Sequence, residues 1–212
     1  MLLPGVTVSL LRVSFVLASA SPRRAELLTA AGFEFQVVPA DVDETPVPGE
    51  PPRDYALRVA RAKADYVARH LADGRIILAA DTVVVAGGRL MGKPADSTDA
   101  ASMLRALSGT VHHVHTAVVV CGRGQQLEDV VTTLVRFNPL TESEITWYVS
   151  TGEGDGKAGA YAIQGRAARF IHGIEGSWSN VVGLPISTVY RLLSEAGAGI
   201  PAAANAIDPV ER

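Results

Sequence analysis

The chain has 212 residues, of which 48% are apolar and 19% charged. That balance specifies a folded globular protein with a real core and excludes a disordered chain. A formal net charge of -3 offers nucleic acid no long-range attraction, and the single cysteine, Cys121, excludes an intrachain disulfide and fits a reducing, cytoplasmic compartment.

Residues 1–13 read as an N-terminal extension, either disordered or reflecting an upstream start. Their apolar character resembles a secretory signal, but no basic stretch opens them and Arg12 interrupts them. Cleavage at Ala18-Ser19-Ala20 would also destroy the motif that follows. No apolar run approaches the roughly 20 residues of a membrane helix. Residues 14–200 read as one catalytic domain and 201–212 as a tail.

Phe15 to Ala18 predicts a short buried strand, and Pro22 to Ala31 a helix ended by Gly32. Ser21 stands where a helix cap belongs. Arg23 and Arg24 then place two cations in a first turn whose dipole is already positive. Such an arrangement suits an anion such as phosphate docking on the free N–H groups. The alternative is a surface helix whose arginines extend into solvent.

Phe33 to Val38 predicts a strand, and residues 39–52 an acidic, Pro-rich loop. A long helix over about Arg53 to Leu71 carries Ala56, Val59, Ala60, Lys63, Val67 and Leu71 near one face. Ile76 to Ala80 predicts a central strand covered on both faces. Val83 to Val85 and Arg89 to Met91 form a hairpin around Gly87-Gly88. A helix follows from Asp96 or Ser97 to Leu107, then two long strands, Val111 to Cys121 and Leu127 to Phe137. Thr141 and Glu144 form a capping box for a helix to about Ser150. Ala160 to Ile163 and Ala167 to Ile171 read as strands, and Pro185 to Ala196 as a last helix. The expected fold is α/β with a mixed, twisted sheet and flanking helices.

Several clusters carry candidate chemistry. Asp41-Val42-Asp43-Glu44 is either a solvated acidic loop or a hard-cation site. Asp81, at the predicted end of the buried strand, is a candidate metal ligand or general base, or else a turn aspartate. Three lysines, Lys63, Lys93 and Lys157, stand against sixteen arginines. Lys63 lies on an otherwise Ala- and Val-lined helix face, and Lys93 follows Gly92 in a turn. Gln164 offers the donor and acceptor that suit a base edge. Trp178 either stacks on a ring or packs. His113 and His115 share a strand face with His112 opposite, but no cysteine or carboxylate stands at a spacing that favours zinc. There is no phosphate-loop motif of the G-x-x-x-x-G-K-[ST] type.

In order along the chain, Ser19-Ala20-Ser21-Pro22-Arg23-Arg24, Asp81-Thr82, Gly92-Lys93-Pro94, Leu107-Ser108-Gly109 and Ile163-Gln164-Gly165 resemble the signatures of the Maf family of nucleoside triphosphate pyrophosphatases. The resemblance runs from Val16 to about Leu193. Gln164-Gly165 and Ser179-Asn180-Val181-Val182-Gly183-Leu184-Pro185 are similar to the branch that cleaves dTTP and UTP. The resemblance implies a Maf/ITPase-like fold with a central nucleotide cleft. It also implies hydrolysis of dTTP and UTP, and of pyrimidine nucleotides with modified bases, to the monophosphate and pyrophosphate with Mg²⁺ or Mn²⁺. By the same resemblance Asp81 is the proton acceptor, and Arg23, Thr82 and Gln164 select the substrate. Ser19, Arg24, Lys63 and Lys93 bind phosphate, and Glu44 joins Asp81 at the metal. One departure is Gly156, which stands before Lys157 where the family commonly has an acidic residue. A binding-only regulator of growth or division and a housecleaning enzyme for other modified nucleotides are the competing readings. No nucleic-acid or membrane partner is expected, and a homodimer is left open.

Overall fold

The structure, a computed structural model, describes residues 15–199; the expected extension at 1–13 and tail at 201–212 lie outside them. The chain runs β1 (Phe15–Leu17), α1 (Pro22–Ala30), β2 (Phe35–Val37), α2 (Pro52–Leu71), β3 (Ile77–Ala86), β4 (Arg89–Met91), α3 (Ser97–Leu107), β5 (Val111–Gly122), β6 (Gln125–Phe137), α4 (Glu142–Ser150), β7 (Ile171–Glu175), α5 (Trp178–Val182) and α6 (Ile186–Glu195). A mixed seven-stranded sheet has the order β2-β1-β3-β5-β6-β7, with β4 also on β3. β1 pairs in parallel with β2 and β3, and every other pairing is antiparallel.

The strand period of two sends neighbouring side chains to opposite faces. Phe15, Leu17, Leu78, Ala80, Val118 and Val120 pack under α1 and α6. Val16, Ala18, Ile77, Ala79, Val83, Ala117 and Val119 pack under α2, through Tyr55, Ala56, Val59, Ala60, Ala64 and Val67. A third cluster joins Val84 and Met91 to Leu104 and Leu107 of α3, Ile145 and Tyr148 of α4, and Tyr161 and Phe170.

One feature of the pairing creates the site. β1 and β4 both lie on the side of β3 away from β5. β1 ends its pairing at Leu78, and β4 begins at Val84. The β3 edge between them is open, a gap of about 20 Å at roughly 3.3 Å per residue.

Three expectations are corrected. Asp81 is not at a strand end: β3 continues through it because β5 pairs along its length, Asp81 opposite Ala117 and Thr82 opposite Thr116. The expected strands Ala160–Ile163 and Ala167–Ile171 do not form; only Ile171 is extended, as the first residue of β7. Gly159 and Ala160 adopt left-handed backbone (φ 73° and 57°), and Ala160, Gly165 and Ala168 each donate an N–H three residues back. These short turns bury their apolar side chains by packing into the third cluster. Ser21 occupies the N-cap position of α1 but makes no side-chain cap; its N–H is instead held by Ser19 Oγ at 3.2 Å. Cys121, in β5, is half-buried.

Candidate active site

A cavity of about 560 Å³ opens at the gap in the sheet. Residues 18–24 after β1, the open edge of β3, the β4 turn, and residues 156–158, 161–164 and 181–183 form its walls. Ser19, Arg23, Arg24, Glu44, Lys63, Asp81, Thr82, Lys93 and Gln164 all line it. All three lysines of the chain are there, since Lys157 joins Lys63 and Lys93. Five cationic side chains thus meet two carboxylates in a protein whose net charge is negative.

Asp81 and Thr82 are consecutive in a strand and so face opposite sides of the sheet. Asp81 turns to α2, where Lys63 Nζ lies 2.7 Å from its Oδ1. The same nitrogen lies 2.7 Å from Glu44 Oε1, while Lys93 Nζ approaches Glu44 Oε2 at 3.8 Å. Glu44 is held over α2 by its own carbonyl, which accepts the Tyr55 hydroxyl at 2.7 Å. Its acidic neighbours serve differently: Asp43 Oδ1 accepts the Thr45 N–H in a tight turn, and Asp41 is exposed.

Burial pushes the Asp81 carboxyl above the usual aspartate value, and Lys63 and Arg24 only partly offset it. At Glu44 the balance reverses. Burial opposes its charge, but Lys63, Lys93 and Arg24 together hold its carboxyl below the ordinary glutamate value.

Thr82 turns to α1. Arg24 is buried there, with Nε donating to the Gly183 carbonyl at 2.9 Å, one terminal nitrogen to Ser19 Oγ at 3.1 Å and the other to Thr82 Oγ1 at 3.1 Å. Three of the five donors of its fork therefore meet protein oxygens. Arg23 differs: it is half-buried at the cavity wall and makes no ion pair or hydrogen bond among the described residues. Gln164 is exposed into the cavity on its turn.

A family model described as Maf-like protein matches residues 14–196. The chain belongs to the Maf-like protein family. It is 54% identical over 190 residues to a protein of Anaeromyxobacter dehalogenans named dTTP/UTP pyrophosphatase, covering 88% of this chain and 95% of that one. A protein of the same name from Geobacter sulfurreducens is 51% identical over 185 residues, covering 86% of this chain and 96% of its own. Among solved structures, a nucleoside-triphosphatase described as a dITP/XTP pyrophosphatase from Mycobacterium abscessus is similar, with a TM-score of 0.41 and 16% identity over 89% of this chain and 99% of that one.

The anchoring roles of two residues around this Maf-like site emerge only in the fold. Asn180 is fully buried, and its Nδ2 donates to the Val114 carbonyl at 3.0 Å and Thr133 Oγ1 at 2.9 Å, pinning α5 and hence Gly183 to the sheet. Glu153 receives bonds from the turn that carries Gln164. The only sequence signal for it was the density of glycines around it. Trp178 is exposed and lies outside the cavity wall.

Proposed function

We propose that this chain hydrolyses dTTP and UTP, and pyrimidine triphosphates with modified bases, to the nucleoside monophosphate and pyrophosphate. The observation that carries the reading is the placement of every lysine of the chain, with two consecutive arginines, around one buried carboxylate. Such a cavity matches the charge of a triphosphate, and a binding-only regulator would have no use for the carboxylate. The names of the relatives supply the pyrimidine preference.

Asp81 takes the proton of a water attacking the α-phosphorus. Burial raises its carboxyl and so makes it a stronger base. The new bond joins the water oxygen to the α-phosphorus as the bridge to the β-phosphate breaks, and pyrophosphate departs with the electron pair. Ser19, Arg24, Lys63 and Lys93 meet phosphate oxygens, and Arg23, Thr82 and Gln164 select the substrate.

The donor set also fits a hard divalent cation, Mg²⁺ or Mn²⁺. Lys63 engages Glu44 Oε1 and Asp81 Oδ1, and Lys93 approaches Glu44 Oε2 at 3.8 Å, so Glu44 and Asp81 are the carboxylates that would hold the ion. When bound, such an ion supplies charge neutralisation on the phosphates. Among the described residues no helix is long and apolar enough to cross a membrane.

The test is kcat/KM for dTTP, UTP, CTP, ATP and GTP, with Mg²⁺ or Mn²⁺ and with a chelator. The reading expects dTTP and UTP to lead and the chelator to abolish turnover. A well-folded protein that releases no pyrophosphate from either nucleotide contradicts it.

A further inference from the structure

The turn that presents Gln164 has almost no regular structure of its own, yet a base-selecting side chain must be held to within about 0.5 Å. Its anchorage comes from outside the cavity. Glu153, in the turn after α4, accepts the Arg166 N–H on Oε1 at 2.9 Å and the Ala167 N–H on Oε2 at 3.3 Å. Oε2 also accepts the Tyr148 hydroxyl at 2.9 Å. That hydroxyl in turn accepts the Ala162 N–H at 3.1 Å. One hydrogen-bonded pair therefore grips the Gln164 turn on both sides of the glutamine.

The grip is close and rigid. A Cβ on Gly165 would lie 2.3 Å from Glu153 Oε1, so glycine is what lets the turn reach the carboxylate. Tyr148 is fully buried, with its ring edge-to-face on Phe170. Glu153 is itself fixed, since Thr151 Oγ1 accepts its N–H at 3.2 Å and its carbonyl accepts Lys157 Nζ. Burial opposes the charge on Glu153, but the Arg166 N–H, the Tyr148 hydroxyl and the Ala167 N–H outweigh it and hold the carboxyl below its ordinary value. Neither Glu153 nor Tyr148 lines the cavity.

We propose that Glu153, acting with Tyr148, is a positioning residue that sets the placement of Gln164 and thereby the discrimination between bases. The inference rests on the pyrimidine-triphosphatase reading above and assigns the device that makes it selective. A carboxylate is required because three donors converge on it. A glutamine of the same shape would turn an amide NH₂ toward a donor and lose one side of the grip.

The experiment compares kcat/KM for dTTP and ATP in the wild type, Q164A, E153Q and Y148F, with circular dichroism and thermal unfolding to establish folding. E153Q is expected to lower the dTTP:ATP ratio at least tenfold. The loss should come through a raised KM for dTTP, with kcat changed little. Y148F, which removes a single oxygen, should shift the ratio in the same direction by less and serves alone if E153Q does not fold. A merely structural role would depress both substrates equally and leave the ratio where it was. An unchanged ratio in folded E153Q or Y148F, with a collapsed ratio in Q164A, overturns the proposal alone. An unchanged ratio in all three overturns it together with the selecting role of Gln164.

Discussion

Lys63 Nζ sits 2.7 Å from Asp81 Oδ1, and both residues are 7% exposed, so α2 and β3 are joined at the site by a buried ion pair. Burial raises the Asp81 carboxyl above its ordinary value despite Lys63 and Arg24, so folding works against its charged form. Asp81→Asn should therefore remove turnover by at least about a hundredfold while leaving the unfolding temperature at or above that of the wild type. Lys63→Met strands a buried carboxylate and should cost about 3 kcal/mol of stability. Steady-state kinetics and thermal unfolding of both variants check this; a folded Asp81→Asn enzyme with normal turnover would sink the assignment.

The adjacent arginines should separate in experiment. Arg24 clamps Ser19, Thr82 and the Gly183 carbonyl, a geometry that lysine cannot reproduce. Arg24→Lys is expected to lose about 2 kcal/mol or more of stability along with activity. Arg23 makes no bond within the protein among the described residues. Arg23→Ala should raise KM for dTTP with a stability change within about 0.5 kcal/mol. Urea unfolding with parallel kinetics distinguishes the two, and equal destabilisation would contradict the division of roles.

His112 gives the fold a pH dependence. It is fully buried between Phe137 and Tyr161, with Nε2 on the Tyr161 hydroxyl at 2.8 Å and no partner for Nδ1 among the described residues. Burial, aided by His113, lowers its pKa to about 4. Between that value and the ordinary value of about 6.5 the unfolded chain binds the extra proton, so stability is lost as pH falls through this window. From pH 7 to pH 5 the loss due to His112 should be about 2 kcal/mol. His112→Phe should flatten the stability–pH curve over that range. An unchanged slope in the variant would show that His112 is not its source.

Local signals made the elements legible where punctuation was strong: Pro22 and Gly32 bound α1, and Thr141 with Glu144 opens α4 through a complete capping box. The residues that line the cavity were visible as motifs, but their surroundings were not. The length of β3 depends on its non-local partner β5, so Asp81 looked terminal. The apolar run Ala160–Ile163 has strand-like composition, but Gly159 and Ala160 turn left-handed and the lobe of α3 and α4 buries it. The role of Glu153 was illegible because, besides the Tyr148 hydroxyl, its partners are backbone N–H groups 13 and 14 residues away, which carry no side-chain signature. That Arg24 would face protein oxygens while Arg23 faced the cavity also required the fold.

The central claim is attack at the α-phosphorus beside Asp81. It is tested most directly by hydrolysing dTTP in water enriched in oxygen-18 and locating the label by mass spectrometry. The account predicts one labelled oxygen in the thymidine monophosphate and none in the pyrophosphate. Label in the pyrophosphate, or thymidine diphosphate and phosphate as the products, would contradict it.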